Sequence, residues 1–344
     1  MTAVPDHAGI DPNPSLLTRS GPRPDTADDQ KTLIQRLLVG IFVGVPTLAL
    51  TAAIPLAWGW ALGWHDLVIG LVFYTVTGLG VTVGYHRHFT HASFKAKTGL
   101  RVALGIAGSM SLEGSVLTWV ATHRRHHKYS DRAGDPHSPW RYGDDWAALA
   151  KGLVHAHILW MFDPDFTSQE KFCPDLLADK NLRRIDTAFP LLVAASLLLP
   201  ALIGGLWGMS WHGALTGFVW AALVRIGLLN HVTWSINSIC HTFGVEEFSV
   251  RDKSRNVNWL AIASFGESWH NLHHADPTCA RHGALRGQID ASARVIRWFE
   301  RLGWAYDVRW PDKTRLEAKR TPGGTRSLGS MTSPSAKLDQ TVST

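Results

Sequence analysis

The sequence predicts an all-α integral membrane protein in which four transmembrane helices carry a cytoplasmic helical cap with a histidine-rich metal site. Three observations predict it. Apolar residues, 45% of the 344, are gathered into long runs. The first three of four such runs carry almost no charge, and each is long enough to cross a bilayer. Half of the 18 histidines fall in clusters that this topology places on one membrane face.

Residues 1–32 are polar and contain Pro5, Pro12, Pro14, Pro22 and Pro24. With no apolar h-region there, the segment reads as a disordered cytoplasmic arm and not a signal peptide. The membrane domain follows over residues 33–310. Leu37 to Trp64 has no Asp, Glu, Lys or Arg; it gives a first span over 37–58 and a turn near Gly59 to Trp64. Leu67 to Tyr85 is equally free of charge and gives a second span over 66–85, running into His86. The loop between them holds only His65 and Asp66, whereas both outer flanks are basic, so the N-terminus and His86 are expected in the cytoplasm.

Leu100 to Thr122 is apolar but is interrupted by Arg101 and Glu113 and rich in Gly and Ser. It reads as a re-entrant or interfacial segment, because a crossing would separate His86 from His123. The polar remainder of residues 86–186 stays cytoplasmic, with amphipathic stretches near Trp146 to Phe162. Spans three and four are expected over 187–207 and 213–235, and the absence of Lys and Arg between them marks that connection as external. Arg225 lies in the fourth span beside Asn230 and His231. A mid-depth charge costs roughly 2.5–3.5 kcal/mol on insertion scales, so Arg225 should face protein. Residues 236–310 return to the cytoplasm, and 311–344, rich in Pro, Gly, Ser and Thr, read as a disordered tail.

The net charge of +6 sits mainly at the ends and in connecting segments, which suits anionic headgroups. No basic stripe with interleaved aromatics points to nucleic acid. Cys173, Cys240 and Cys279 form no C-x-x-C pair, so neither a disulfide framework nor a cysteine metal site is expected. Several of the 16 tryptophans lie near the ends of the apolar runs, where an aromatic belt belongs.

The histidines carry the chemistry. His123, His126 and His127, and again His270, His273 and His274, stand at i, i+3 and i+4, where one helix face can aim three imidazoles at one point. His86 and His91 are i and i+5, about 140° apart on an α-helix, so the helix should kink or end between them. His241 follows Asn237 by one turn. Neutral imidazole is the commonest metal ligand. Nine histidines exceed the roughly four to six ligands of one ion, so two metals are implied. Asp135, Asp252, Glu267 and Asp276 are candidate acceptors for the outward imidazole N–H groups.

These motifs resemble the membrane fatty acyl desaturases, in particular the stearoyl-CoA desaturase-like Δ9 group. The matching segments are His86-Arg87-His88-Phe89-Thr90-His91, His123 to Asp131, Asp135-Pro136-His137, Asn237 to His241 and Gly266 to His274. The likeness covers roughly residues 35–305. It implies two iron ions per chain held by His86, His91, His123, His126, His127, His241, His270, His273 and His274, with Asn237 contacting one iron through water. His88 falls outside that pattern and reads as structural.

The resemblance also implies O2 as co-substrate, a long-chain fatty acyl-CoA as substrate, and a tunnel shaped by Trp119, Thr233 and Trp234. Glu113 stands where relatives carry an uncharged amide near the substrate. Tyr74 and Gly78 share a face of the second span, and Gly78 lies about 12 Å along a helix from His86, so they are expected to close the tunnel. With no haem, flavin or iron–sulfur motif in the chain, an external donor is expected: ferredoxin, a cytochrome b5-like protein or an NADPH-dependent reductase. The expected location is a bacterial inner (plasma) membrane, with the lipid bilayer as partner and both termini cytoplasmic.

Two same-scaffold readings stand beside this one, an acyl-lipid desaturase and a fatty acid hydroxylase. A histidine-rich metal transporter is a remoter alternative. It requires ligands at mid-membrane, and the first three spans offer no His, Asp or Glu there.

Overall fold

The computed structural model of the chain describes residues 25–57 and 61–321. In chain order its elements are β1 (Thr26–Gln30), α1 (Leu33–Ala57), α2 (Trp64–Leu79), β2 (Lys95–Ala96), α3 (Thr98–Ser109), α4 (Val116–Tyr129), α5 (Trp146–His157), β3 (Asp165–Thr167), α6 (Gln169–Phe172), α7 (Pro174–Leu177), α8 (Lys180–Thr187), α9 (Phe189–Gly208), α10 (Trp211–Thr216), α11 (Arg225–Ser238), α12 (His270–Ala275), α13 (Ala291–Arg301), β4 (Ala305–Tyr306) and α14 (Lys313–Glu317). The strands form two antiparallel pairs, β1 with β3 and β2 with β4, beside an otherwise helical fold.

Four helices among the described residues are long and apolar enough to cross a membrane: Leu33–Ala57, Trp64–Thr90, Phe189–Gly208 and Trp211–Ser238. They overlap the four expected spans and mostly run beyond them, because backbone hydrogen bonding, not the end of the apolar run, sets a helix terminus. Part of the expected turn at Gly59 to Trp64 lies outside the described residues. The first span turns Leu37, Ile41, Val45 and Leu48 outward and buries Pro46 and Ala53. Exposed Trp64, Trp207 and Trp211 lie at the connected ends of the span pairs, exposed Trp146 lies between spans two and three, and exposed Trp259 follows span four. Positions at or beyond the span ends are where headgroup-level indoles lie.

Spans three and four approach closely because their crossing is lined with glycine. A Cβ on Gly217 would lie 2.7 Å from the Pro200 carbonyl, and one on Gly204 would collide with the Gly213 carbonyl. Arg225 is buried, as expected, and the reason is specific. Pro200 has no N–H, so the Ser196 carbonyl four residues earlier lacks its helix donor. Arg225 Nη2 donates to that carbonyl at 3.1 Å and to Ser196 Oγ at 2.9 Å.

The helix bearing His86 ends before His91, as expected, but it does not end as an α-helix: Gly80–Thr90 widens into a π-helix, with His91 just past its last residue. The His91 N–H donates to the His86 carbonyl at 3.2 Å, an i→i+5 bond. That bonding brings residues five apart onto one face, which the α-helical spacing denied. Leu100 to Thr122 is built of two helices, α3 and α4, joined through a turn in which Leu112 and Gly114 take positive φ.

The ends also differ from the expected arm and tail. Within 1–32, residues 26–30 form β1, and Asp25 is buried against Lys128, Tyr129 and Lys171. Lys31 Nζ donates to the Met161 and Asp163 carbonyls at 2.8 and 2.9 Å. Within 311–344, α14 packs Leu316 beneath Phe248 and Leu272, and Arg320 bridges to Phe248. Both pieces are short and polar, so only long-range pairing orders them. Residues 1–24 and 322–344 lie outside the described residues.

Candidate metal centre

The C-terminal end of the second span brings in His86 and His91, α4 brings His123, His126 and His127, the turn after α11 brings His241, and α12 brings His270, His273 and His274. The nine imidazoles form two groups. In one, the ligand atoms of His86, His91, His123, His127 and His273 all lie within 4.8 Å of one another; in the other, those of His126, His241, His270 and His274 do. Each H-x-x-H-H box is therefore divided between the groups and does not converge on one point. Residues i and i+4 lie about 40° apart on a helix, whereas i+3 and i+4 lie about 100° apart. His123 and His127 thus share one group while His126 turns to the other. His270 and His274 likewise pair, and His273 turns away.

The Nε2 atoms approach one another edge to edge. His273 Nε2 lies 3.0 Å from that of His86 and 2.9 Å from that of His127, which lies 3.1 Å from that of His123. In the second group, His270 Nε2 lies 3.1 Å from that of His241 and 3.0 Å from that of His274. Four of these rings face carboxylates through Nδ1: His126 with Asp135 (3.0 Å), His241 with Asp131 (2.9 Å), His274 with Asp252 (2.8 Å) and His86 with Glu267. An Nδ1–H donated outward leaves a bare lone pair on Nε2. Lone pairs this close repel unless a cation lies between them. With metal–nitrogen bonds of about 2.0–2.1 Å, ligands at right angles stand about 3 Å apart, which the spacing matches. His91 Nε2 and His126 Nε2 are buried without a hydrogen-bond partner, as donors aimed at an ion would be. The donor set fits a metal site.

Charge state agrees. Burial, then neighbouring imidazoles, hold His91, His123, His127, His270 and His273 well below the usual histidine range, in the neutral form that ligates. Burial alone would raise the carboxylates, but the facing imidazoles and backbone N–H groups hold Asp131, Asp135 and Asp252 below their usual range. The loop after α4 builds this: with Asp131 at φ +58 and Gly134 at φ +105, it folds back so that the Asp131 and His137 N–H groups donate to Asp135 at 2.9 and 3.0 Å.

Of the candidate acceptors, Asp135, Asp252 and Glu267 face imidazoles. Asp276 does not; it pairs with Arg315 at 2.8 Å, because α12 ends before it and turns its side chain towards α14. The sequence reading missed Asp131, although it lies within the segment quoted for the resemblance. It also missed His282, whose ring sits 4.5 Å from His273. Glu267 reaches both His86 and His282, and the fully buried Arg87 binds Glu267 and Asp290. Asp290 also caps α13. His282 stands alone in a loop with no periodic signal. Arg87 beside His86 was a usable signal, since a buried cation needs carboxylates. His88 stays apart, with its Nδ1 3.0 Å from the Phe94 carbonyl.

A cavity of about 1490 Å³ runs past this centre. Val81, Leu229, Val232, Thr233, Trp234 and Phe265 line its apolar end; Lys31, Arg132, Arg141, Asp144 and Lys253 line its polar end. Glu113, Trp119 and Asn237 line it too, and the Trp119 ring stacks on His123 at 4.9 Å. Trp119 Nε1 donates to Glu113 at 3.1 Å. Tyr74 and Gly78 are not among the lining residues. They lie behind Phe265: the Tyr74 hydroxyl donates to the Ala263 carbonyl at 2.7 Å, and a Cβ on Gly78 would collide with the Phe265 ring. The ring fills the space that Gly78 leaves, and of these three residues it is Phe265 that lines the cavity.

Comparison with known proteins agrees with this site. Residues 58–286 match the fatty acid desaturase family. The chain is 37% identical to a hex-5-enoyl-[acyl-carrier protein] acetylenase of Moorena producens, over 80% of this chain and 87% of that one. It is 36% identical to Delta-9 acyl-lipid desaturase 1 of Arabidopsis thaliana (73% and 78%) and 34% identical to acyl-CoA 5-desaturase AL21 of Anemone leveillei (80% and 79%). With two thirds of its length inside the family match and its histidines gathered as described, this chain belongs to the fatty acid desaturase family, as a Δ9-desaturase-like membrane oxidoreductase.

Proposed function

We propose that the chain is an O2-dependent di-iron desaturase that inserts a cis double bond, at Δ9, into a saturated long-chain acyl-CoA such as stearoyl-CoA or palmitoyl-CoA. The observation that carries this reading is the division of nine imidazoles into two adjacent groups beside a cavity that is apolar at one end and charged at the other. Iron is favoured over zinc because zinc has no redox chemistry. Two irons, when bound, supply the oxygen-activating chemistry that an unactivated methylene pair requires. The nine histidines would hold them, and Asn237, which lines the cavity one turn before His241, would contact one of them through water.

The chain's own residues do the rest. Asp131, Asp135, Asp252 and Glu267 fix the ring orientation of four ligands. Val81, Leu229 and Val232 exclude water, and Trp119, Thr233 and Trp234 bend the acyl chain beside the centre, so that one pair of methylenes meets it in the folded-over geometry a cis double bond requires. The basic side chains of the polar end meet the carrier group. Relatives are named for acyl-carrier-protein, lipid and CoA carriers, and the acyl-lipid name of the Arabidopsis relative favours a second reading in which a membrane lipid presents the chain. Reduction of O2 to two waters takes four electrons; the two C–H bonds give two, and an external ferredoxin, cytochrome b5-like protein or reductase gives the others. The centre faces the cytoplasm, where such donors reside.

The experiment is turnover of purified protein with a reduced donor, O2, and stearoyl chains on CoA, acyl-carrier protein or phospholipid, with the double bond located by mass spectrometry. A Δ9 product from stearoyl-CoA is expected, and none with NADPH alone. Exclusive turnover of phospholipid selects the second reading. His126→Ala and His273→Ala, one from each group, should each lose turnover and at least half the bound iron; full activity in either sinks the assignment.

A further inference from the structure

The two histidine groups differ in what stands behind them. Behind the four-histidine group are three buried aspartates, each facing an imidazole Nδ1: Asp135 on His126, Asp131 on His241, Asp252 on His274. Backbone N–H groups fix all three, from His137 to Asp135 (3.0 Å), Lys253 to Asp131 (2.8 Å) and Ser254 to Asp252 (3.1 Å). Behind the five-histidine group stands one carboxylate, Glu267 on His86. Glu267 is itself matched by the guanidinium of Arg87, whose Nε donates to it at 3.1 Å. Each group also has one ring whose Nδ1 is buried with no hydrogen-bond partner, His273 in this one and His270 in the other, so the difference lies in the carboxylates alone.

We infer that the two subsites bind metal in a fixed order: the four-histidine subsite takes a divalent cation first and more tightly, and Asp131, Asp135 and Asp252 are the positioning residues that set the order. This rests on the two-metal reading above. A carboxylate on Nδ1 raises the basicity of Nε2, locks the tautomer that offers its lone pair, and adds negative charge near the cation. Loss of one such partner costs about 10–100-fold in metal affinity. Two more partners on one subsite thus separate the affinities by roughly 100-fold or more. The fifth imidazole of the other group works against this, but it is neutral, and the one carboxylate beside it is offset by a buried cation. The ordered subsite carries Asp131 and Asp135 on the polar loop after α4, so a first ion there would brace α4, α12 and the end of α11 before the second ion arrives.

The test is an anaerobic titration of the metal-stripped full-length protein, in detergent, with Co²⁺ as spectroscopic probe and Fe²⁺ as confirmation. Two resolved equivalents are expected. Asp135→Asn and Asp252→Asn, which keep the shape and an acceptor oxygen, should weaken the tight equivalent by about 10–100-fold and leave the loose one in place. Glu267→Gln should weaken only the loose one, and Asp252→Glu should restore what Asp252→Asn loses. Two equivalents of equal affinity in the unaltered protein overturn the inference without any variant, as does weakening of the loose equivalent by the asparagine substitutions. Uptake of fewer than two equivalents overturns the two-metal reading itself and this order with it.

Discussion

Glu113 is the residue whose charge the fold changes most visibly outside the histidine groups. Burial pushes its carboxyl from 4.5 up to about 7, against hydrogen bonds with Thr233 and Trp119 that favour the anion. Between those two values the folded chain keeps a proton that the unfolded chain has released, so stability falls as pH rises through that window and levels off above it. Glu113→Gln keeps the Trp119 bond and removes the titration. The variant should therefore gain thermal stability over the parent at pH 8 and show little difference at pH 5, measured by melting in detergent; equal differences at both values count against the raised carboxyl. At this scale much was legible in the sequence. The nine histidines announce themselves because ligand spacing is local. Their division into five and four was not legible from a box read as one face, although the 100° between i+3 and i+4 contains it. Asp131 and His282 were hidden because a carboxylate or a lone histidine has no periodic signature; only folding brings Asp131 to His241 across 110 positions.

At the level of elements, span three and span four are joined by a repair. Arg225→Met would leave the Ser196 carbonyl, already deprived of its helix donor by Pro200, without a partner. A loss of roughly 1–3 kcal/mol for that group is expected, read as a lower melting temperature with metal content unchanged. A variant that melts with the parent would show that the donor is dispensable. The turn after the Asn258–Leu260 3-10 segment lodges Phe265, which lines the cavity, against Gly78. We propose that this ring ends the acyl tunnel, so that Phe265→Ala opens that end and raises the preference for C18 over C16 chains. At about 0.8 kcal/mol per buried methylene, two carbons correspond to roughly tenfold. Gly78→Leu, which drives the ring into the cavity, should act oppositely. Chain-length competition with product analysis decides it, and an unchanged ratio in both variants removes Phe265 from this role. Span number and order were readable from hydropathy. The π-helical widening was not, since it conserves composition and changes only hydrogen-bond register.

For the molecule as a whole, the exposed tryptophans suit the two headgroup levels of a bilayer, and the cavity runs from a charged end into the apolar bundle. That layout matches a substrate with a polar carrier and a long tail. The strap formed by β1 and β3 joins the segment before the first span to the polar end, since Lys31, Phe166 and Thr167 all line the cavity there. Pairing across 141 positions, Thr26 to Thr167, gives no local sequence signal, which is why the arm read as disordered throughout. Removing residues 1–31 should raise KM for the acyl substrate several-fold while leaving bound iron and kcat nearly unchanged, as expected of a wall and not of the centre. An unaltered KM would show that the strap contributes no wall.

The π-helical segment Gly80–Thr90 has a consequence for how this chain tolerates changes in length. A π-bonded turn holds one more residue than an α-turn over the same rise. Deleting a single residue within 80–85 would leave the span just as apolar and nearly as long, yet allow it to close into ordinary α-helix. Because the α-turn completes the same rotation with one residue fewer, the lipid-facing stripe would keep its phase relative to His86. A deletion inside α2, Trp64–Leu79, has no such reserve, and would turn everything before it by about 100° relative to His86. The span therefore absorbs the loss of a residue within 80–85 and not within 64–79.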